Sequence, residues 1–201
     1  MSRSADEIAN VAARLVVEEG LEYAAAKRRA ARELARHGGR SARQAALPGN
    51  AEIEAAVREY IALFCADTQP AELAALRCVA RQWMQRLAPF RPHLGGAVWR
   101  GTATRLSSVH LDLYCDDGKA AEIAIINAGI AFDLAPGSGP EETVLSVSSP
   151  APELGEVVTA HLHLHDHDDL RGALKPDAEG RTWRGDLAAL DRLLAAEGNR
   201  C

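Results

Sequence analysis

The sequence predicts an α+β fold in which N-terminal helices pack on a mixed sheet that ends in a short C-terminal helix. Three observations lead there. Apolar residues recur at helical spacing through about the first 95 residues. Beyond Pro92 the pattern changes to short runs in which apolar and polar residues alternate. A single helical stretch, Gly118–Asn127, falls among those runs, an order that suits α+β better than repeated βαβ units. The expected organisation is therefore a helical region over 1–95 and an α+β region over 96–201.

The elements follow in order. Asp6 is placed to cap a first helix with Ile8, Val11, Ala12 and Leu15 on one face, and Gly20 is placed to end it. An Ala-rich, basic second helix is expected over about Glu22–Arg36, stopped by Gly38-Gly39. Arg40–Asn50 reads as a linker, and Asn50 as the cap of a third helix carrying Ile53, Ala56, Val57, Tyr60, Ile61 and Phe64. Thr68 and Pro70 open a fourth, whose stripe of Leu73, Leu76, Val79, Ala80, Trp83, Met84 and Leu87 is expected in the core. Strands are expected at Ala97–Trp99, Val109–Tyr114, Ile130–Leu134, Thr143–Val147 and Val157–His165. Asp166–Arg184 reads mostly as loop, and Asp186–Ala196 as a last amphipathic helix.

Charge is distributed unevenly. Between Leu21 and Arg43 seven bases face two acids, whereas Ala120–Leu170 holds nine acids and four histidines with no Lys or Arg. The basic helix is either a nucleic-acid-binding face or, as the overall net charge of −5 favours, a solvated face or one docked on the acidic half. No apolar run approaches the roughly 20 residues that span a bilayer, and the polar N-terminus lacks a signal-peptide core. Cys65, Cys78, Cys115 and Cys201 are scattered, and the first two fall on helical patterns as unpaired buried thiols would. The expectation is a cytoplasmic protein without a membrane partner. The sequence leaves its oligomeric state open.

The segment from Val98 to Tyr114 carries the functional reading. A strand candidate is followed by Gly101-Thr102, a short connection, and Ser108-Val109-His110-Leu111-Asp112-Leu113. This order resembles the nucleotidyltransferase superfamily that includes DNA polymerase β. There a Gly-Ser or Gly-Thr follows a strand, and alternating carboxylates follow on the next. The chemistry explains the spacing. Glycine lets the backbone approach a triphosphate, and strand periodicity points two carboxylates at one pair of Mg²⁺ ions. Those ions clamp the attacking and leaving oxygens of phosphoryl transfer. The resemblance implies nucleotide contacts at Gly101, Thr102, Arg105 and Ser108, and catalytic positions at His110, Asp112 and Asp133, the last from a later strand. In one register the two acidic positions are His110 and Asp112, and in the other they are Ser108 and His110. In both, at least one carboxylate is missing.

A second unusual segment is His161-Leu162-His163-Leu164-His165-Asp166-His167. As a strand it places the histidines on one face and the leucines on the other. His161, His163, His165 and His167 are therefore candidate ligands for a transition metal (Zn, Mn or Ni), two of them joined by Asp112 or Asp133, and a divalent metal (Mg, Mn or Zn) is the cofactor to expect if there is one. Two alternatives stand beside that one. The first is a half-buried strand with leucine inward and histidine outward. The second is a pH-responsive face.

The function that follows is a nucleotidyltransferase-fold protein, noncatalytic or repurposed, that binds a nucleotide or a macromolecular partner. An active metal-dependent nucleotidyltransferase and a nucleic-acid-binding or assembly module are the alternatives. P-loop, GxGxxG and GxSxG signatures are absent, which counts against those common enzyme folds.

Overall fold

The computed structural model describes residues 3–37, 46–136, 143–176, 180–199 and 201. The chain divides into two compact units, Met1–Pro70 with Thr102–Ser107, and Ala71–Gly101 with Ser108–Cys201. Most of the fourth helix is thus grouped with the sheet, not with the helical region expected over 1–95. The expected stop at Gly38-Gly39 and the start of the linker lie outside the described residues.

The first unit is built on α1 (Arg3–Glu19), α2 (Tyr23–His37) and α3 (Asn50–Phe64), with α1 in contact with both others. Ile8, Ala12 and Leu15 of α1 share a core with Ala26 and Ala30 of α2 and with Ile53 and Val57 of α3. Alanine is what α2 contributes because a methyl group lets two helix backbones come close. Gly20 ends α1 as expected. At φ +68° it adopts the left-handed conformation, and Leu21 N–H reaches back to the Leu15 carbonyl.

Two caps differ from expectation. Asp6 lies inside the first turn of α1, where its charge suits the helix dipole but does not cap the end. Asn50 is the first residue of α3, and Gly49 holds the cap position with its N–H donated to Glu52 Oε2 at 2.6 Å. The Asn50 side chain is used elsewhere, accepting from Lys27 Nζ at 2.7 Å. Two bases of the basic helix, Lys27 and Arg29, find partners within this unit. Arg29 pairs with Glu19 and Glu33, and Arg14 lies 3.7 Å from Glu33. Segment 102–107 completes the unit, with Gln69 Nε2 donating to the Ala103 carbonyl at 2.8 Å.

The second unit joins α4 (Gln69–Arg86) to a five-stranded sheet in the order β1-β2-β5-β4-β3. Leu76, Ala80, Trp83 and Met84 of α4 are buried, as the apolar stripe requires. Arg77 and Arg81 tie α4 to the last helix, α8 (Leu187–Ala196), through Glu197 and Asp191 at 2.6 Å each. Cys78 is not an unpaired thiol. It is bonded to Cys201, with 5.3 Å between the two Cα atoms. The sequence hides this pair because its members lie 123 residues apart.

The strands are β1 (His93–Gly95), β2 (Val109–Cys115), β3 (Phe132–Pro136), β4 (Thr143–Ala151) and β5 (Glu156–Asp166). β2 and β5 run parallel, and the other neighbours are antiparallel. The expected strand at Ala97–Trp99 is instead a one-turn helix, α5 (Gly96–Arg100). Gly96 at φ +65° turns the chain out of β1, and Gly101 at φ +80° closes the turn. The apolar run is too short for its period to tell strand from helix. As a helix it buries Val98 and lets Trp99 donate its indole N–H to the Thr182 carbonyl at 2.8 Å.

α6 (Gly118–Asn127) matches expectation, with Asp117 accepting from Lys119 N–H at its start. α7 (Leu170–Ala173) is a single turn within the expected loop. α8 is capped by Asp186, which accepts from Ala189 N–H at 2.8 Å. Leu94, Leu111, Leu113, Leu145 and Leu162 lie on one face of the sheet and form its buried side. No helix among the described residues is long and apolar enough to cross a membrane.

Candidate functional site, an imidazole-rich sheet face

The opposite face of the sheet is polar, and strict alternation makes it so. Along β5, Ala160, Leu162 and Leu164 are buried while His161, His163 and His165 are half-buried on the other side. Pairing with β2 sets His110 beside His161, Asp112 beside His163 and Tyr114 beside His165. β1 adds His93 next to Asp112, and β4 adds Ser146 next to His161. Residues far apart in sequence are thus gathered into one patch.

The side chains bond diagonally across the β2–β5 pair. His110 Nδ1 lies 3.0 Å from Nε2 of His163, and Asp112 Oδ1 lies 2.7 Å from Nε2 of His165. Each contact joins a β2 residue to the β5 residue two beyond its register partner, within reach of long side chains on twisted strands. Ring contacts fill the gaps. The His110 ring sits 5.0 Å from that of His161, and Tyr114 stacks on His165 at 5.4 Å. Ser146 Oγ bonds His161 Nδ1 at 2.8 Å.

Asp112 is the buried anion of this face, and the chain itself occupies both of its oxygens. His165 takes Oδ1, and the Arg184 guanidinium donates Nε–H to Oδ2. Burial by itself would raise the carboxyl's pKa. The His165 hydrogen bond and the Arg184 charge outweigh it and hold the group below the usual carboxylate range. Tyr114, buried beside it, is pushed up to about 12 by desolvation and then by the Asp112 charge.

The residues expected to act together are only partly assembled. His110 and Asp112 share the face. Asp133 is exposed on β3, and β4 and β5 stand between it and β2. Three strand spacings put it roughly 14 Å from β2. His167 has left the strand for a 3-10 turn, His167–Asp169, with Asp116 at 3.9 Å. Among the described residues, no group of three His, Cys, Asp or Glu side chains is arranged to hold a metal ion.

The Gly-Thr connection also differs from a phosphate cradle after a strand. Gly101 terminates α5, donating its N–H to the Ala97 carbonyl, and it belongs to the sheet unit, as does Ser108. Thr102 and the exposed Arg105 belong to the helical unit. The Thr102 hydroxyl is buried with no hydrogen-bond partner among the described residues.

Sequence reasoning missed four contributors. Arg184 comes from a loop without periodicity, so nothing in the chain indicates which strand it would reach. Gly95 ends strand β1 and Gly96 opens α5, so these are the glycines found at a strand's end. A methyl on Gly95 would meet Asp112 Oδ2 at 3.5 Å, and one on Gly96 would meet the His110 ring at 3.4 Å. Two consecutive glycines just ahead of the apolar run Ala97–Trp99 were a signal that could have been read. Tyr114 carried no signal beyond strand alternation with Asp112.

The chain matches no family model, no curated protein and no solved structure.

Proposed function

We propose that the sheet unit is a nucleotidyltransferase-like fold that has given up two-metal chemistry and binds a nucleotide phosphate on its imidazole-rich face. The observation that carries this reading is Asp112 held between His165 and Arg184. A catalytic carboxylate must offer its oxygens to metal ions, and this one has committed both to donors of its own chain. Support for the fold comes from the order strand β1, Gly95-Gly96, helix α5, strand β2, with His110 and Asp112 at alternate positions of β2. His110, His161 and His163 present ring nitrogens beside one another, and imidazole N–H groups donate to phosphate oxygens.

Isothermal titration with ATP, GTP, CTP and UTP, with and without Mg²⁺ or Mn²⁺, tests the proposal. Binding that does not need the metal and is weakened about tenfold in His163→Ala is the expected result. No binding of any nucleotide sinks the proposal, and so does turnover that requires Mg²⁺ and Asp112.

A further inference from the structure

The outward side of α2, in the helical unit, is a charged surface that the nucleotide reading leaves unused, and it rests on none of that reading. Within Tyr23–Arg36 the exposed residues are Ala24, Arg28, Arg32 and Arg36. They recur every four residues, so they line one ridge, with about 6 Å of rise between successive arginines. At a helical turn of about 100° per residue, Ala25, Ala31 and Ala35 flank that ridge, while Ala26 and Ala30 point the other way into the core. The outward half of α2 is therefore built from arginine and alanine alone.

These arginines are not neutralised among the described residues. Glu33 is the one acid of α2, and it is turned to the flank where it bonds Arg29 at 3.1 Å, with Arg14 3.7 Å away. Arg32 donates Nε–H to the Arg28 carbonyl at 3.2 Å, a contact that leaves its charge unpaired. The guanidiniums of Arg28 and Arg36 make no ion pair or hydrogen bond among the described residues. All three are exposed, so the ridge is not docked on an acidic segment. Like charges one turn apart destabilise a helix, and an anionic partner that reaches all three relieves that repulsion.

We propose that this ridge docks on duplex DNA, with Arg28, Arg32 and Arg36 on its phosphates. A guanidinium fits a phosphate through two parallel N–H bonds, and one arginine per turn meets a polyanion whose charges repeat along a line. A helix side of arginine and alanine is slim enough for the major groove of B-form DNA, about 12 Å wide. The A-form groove of duplex RNA is too narrow to admit it. Single strands are held by aromatic side chains on which bases stack, and the ridge has none. Anionic membranes take up helices that offer large apolar side chains to the lipid, whereas this side offers only methyl groups.

Fluorescence anisotropy of the full chain with a labelled DNA duplex of about 20 base pairs, over roughly 50 to 200 mM salt, tests this. Binding at the low-salt end that falls steeply as salt rises is the expected result. The combined Arg28→Gln, Arg32→Gln and Arg36→Gln variant should bind about tenfold more weakly at low salt. Its slope of log affinity against log salt should be shallower by about 2.7, at about 0.9 per phosphate contact. Circular dichroism shows that the variant folds. Arg32→Gln alone should weaken binding about threefold. Arg171→Gln, the same loss of charge at an exposed arginine of the sheet unit, should leave it unchanged. Absence of duplex binding at low salt overturns the proposal. So does binding that the combined variant leaves untouched, or that Arg171→Gln weakens as much as Arg32→Gln does. Tighter binding to duplex RNA, to single-stranded DNA or to phosphatidylserine vesicles than to duplex DNA overturns it as well.

Discussion

His165 holds Asp112 through Nε2 at 2.7 Å, across a pair of parallel strands whose register partner for Asp112 is His163 instead. That offset of two residues matters. It leaves His163 to bond His110, so the four side chains form two diagonal pairs rather than one cluster of ligands. Three-fold coordination of one ion would need one of those pairs to break.

Replacing Asp112 with Asn should therefore destabilise the protein at neutral pH. Two donors lose their charged acceptor, and the half-exposed Arg184 recovers part of the loss in water, leaving a cost of about 2 kcal/mol. The folded-state pKa of Asp112 lies below its 3.8 reference, so its stabilising effect is complete above that value. It is lost as pH falls through the folded pKa. Urea unfolding at pH 7 and again below pH 3.8 should show the gap between parent and Asp112→Asn closing in acid. A gap that stays constant would refute the assignment.

Gly185 is expected to tolerate no side chain. It bridges Leu94 with hydrogen bonds in both directions, and an added Cβ would sit 2.1 Å from the Trp99 ring. Gly185→Ala must push that indole away and break its bond to Thr182, at a cost of about 2–3 kcal/mol. Chemical unfolding measures the loss, and tryptophan emission should shift in the folded variant. A stability equal to the parent's would show that the loop can move freely.

The Cys78–Cys201 bond should stabilise the sheet unit by about 3 kcal/mol, because it closes a long loop in the unfolded chain. Unfolding with and without a thiol reductant should reveal that difference in the parent and none in Cys201→Ser. Peptide mapping under non-reducing conditions should recover the two cysteines linked. Recovery of both as free thiols from oxidised protein would contradict the pairing.

Local pattern made most of the elements legible. The apolar stripe of α4, the alternation in β5 and the Asp186 cap of α8 each follow from neighbours within a few residues. The same alternation assigned His161, His163 and His165 to one face and Leu162 and Leu164 to the other. It could not separate strand from helix at Ala97–Trp99, where three consecutive apolar residues fit either period. The deciding conformations belong to Gly96 and Gly101, which bracket the turn.

By itself, then, the sequence determined the α+β class, the inward leucines and the presence of a lone acid among histidines. Only tertiary structure decided what that acid does. Strand order separated Asp133 from Asp112, parallel register brought His165 within hydrogen-bond reach, and an aperiodic loop delivered Arg184 from 72 residues away. Periodicity is a property of adjacent residues, whereas the partners of a buried charge are chosen by whichever distant segments the sheet brings beside it.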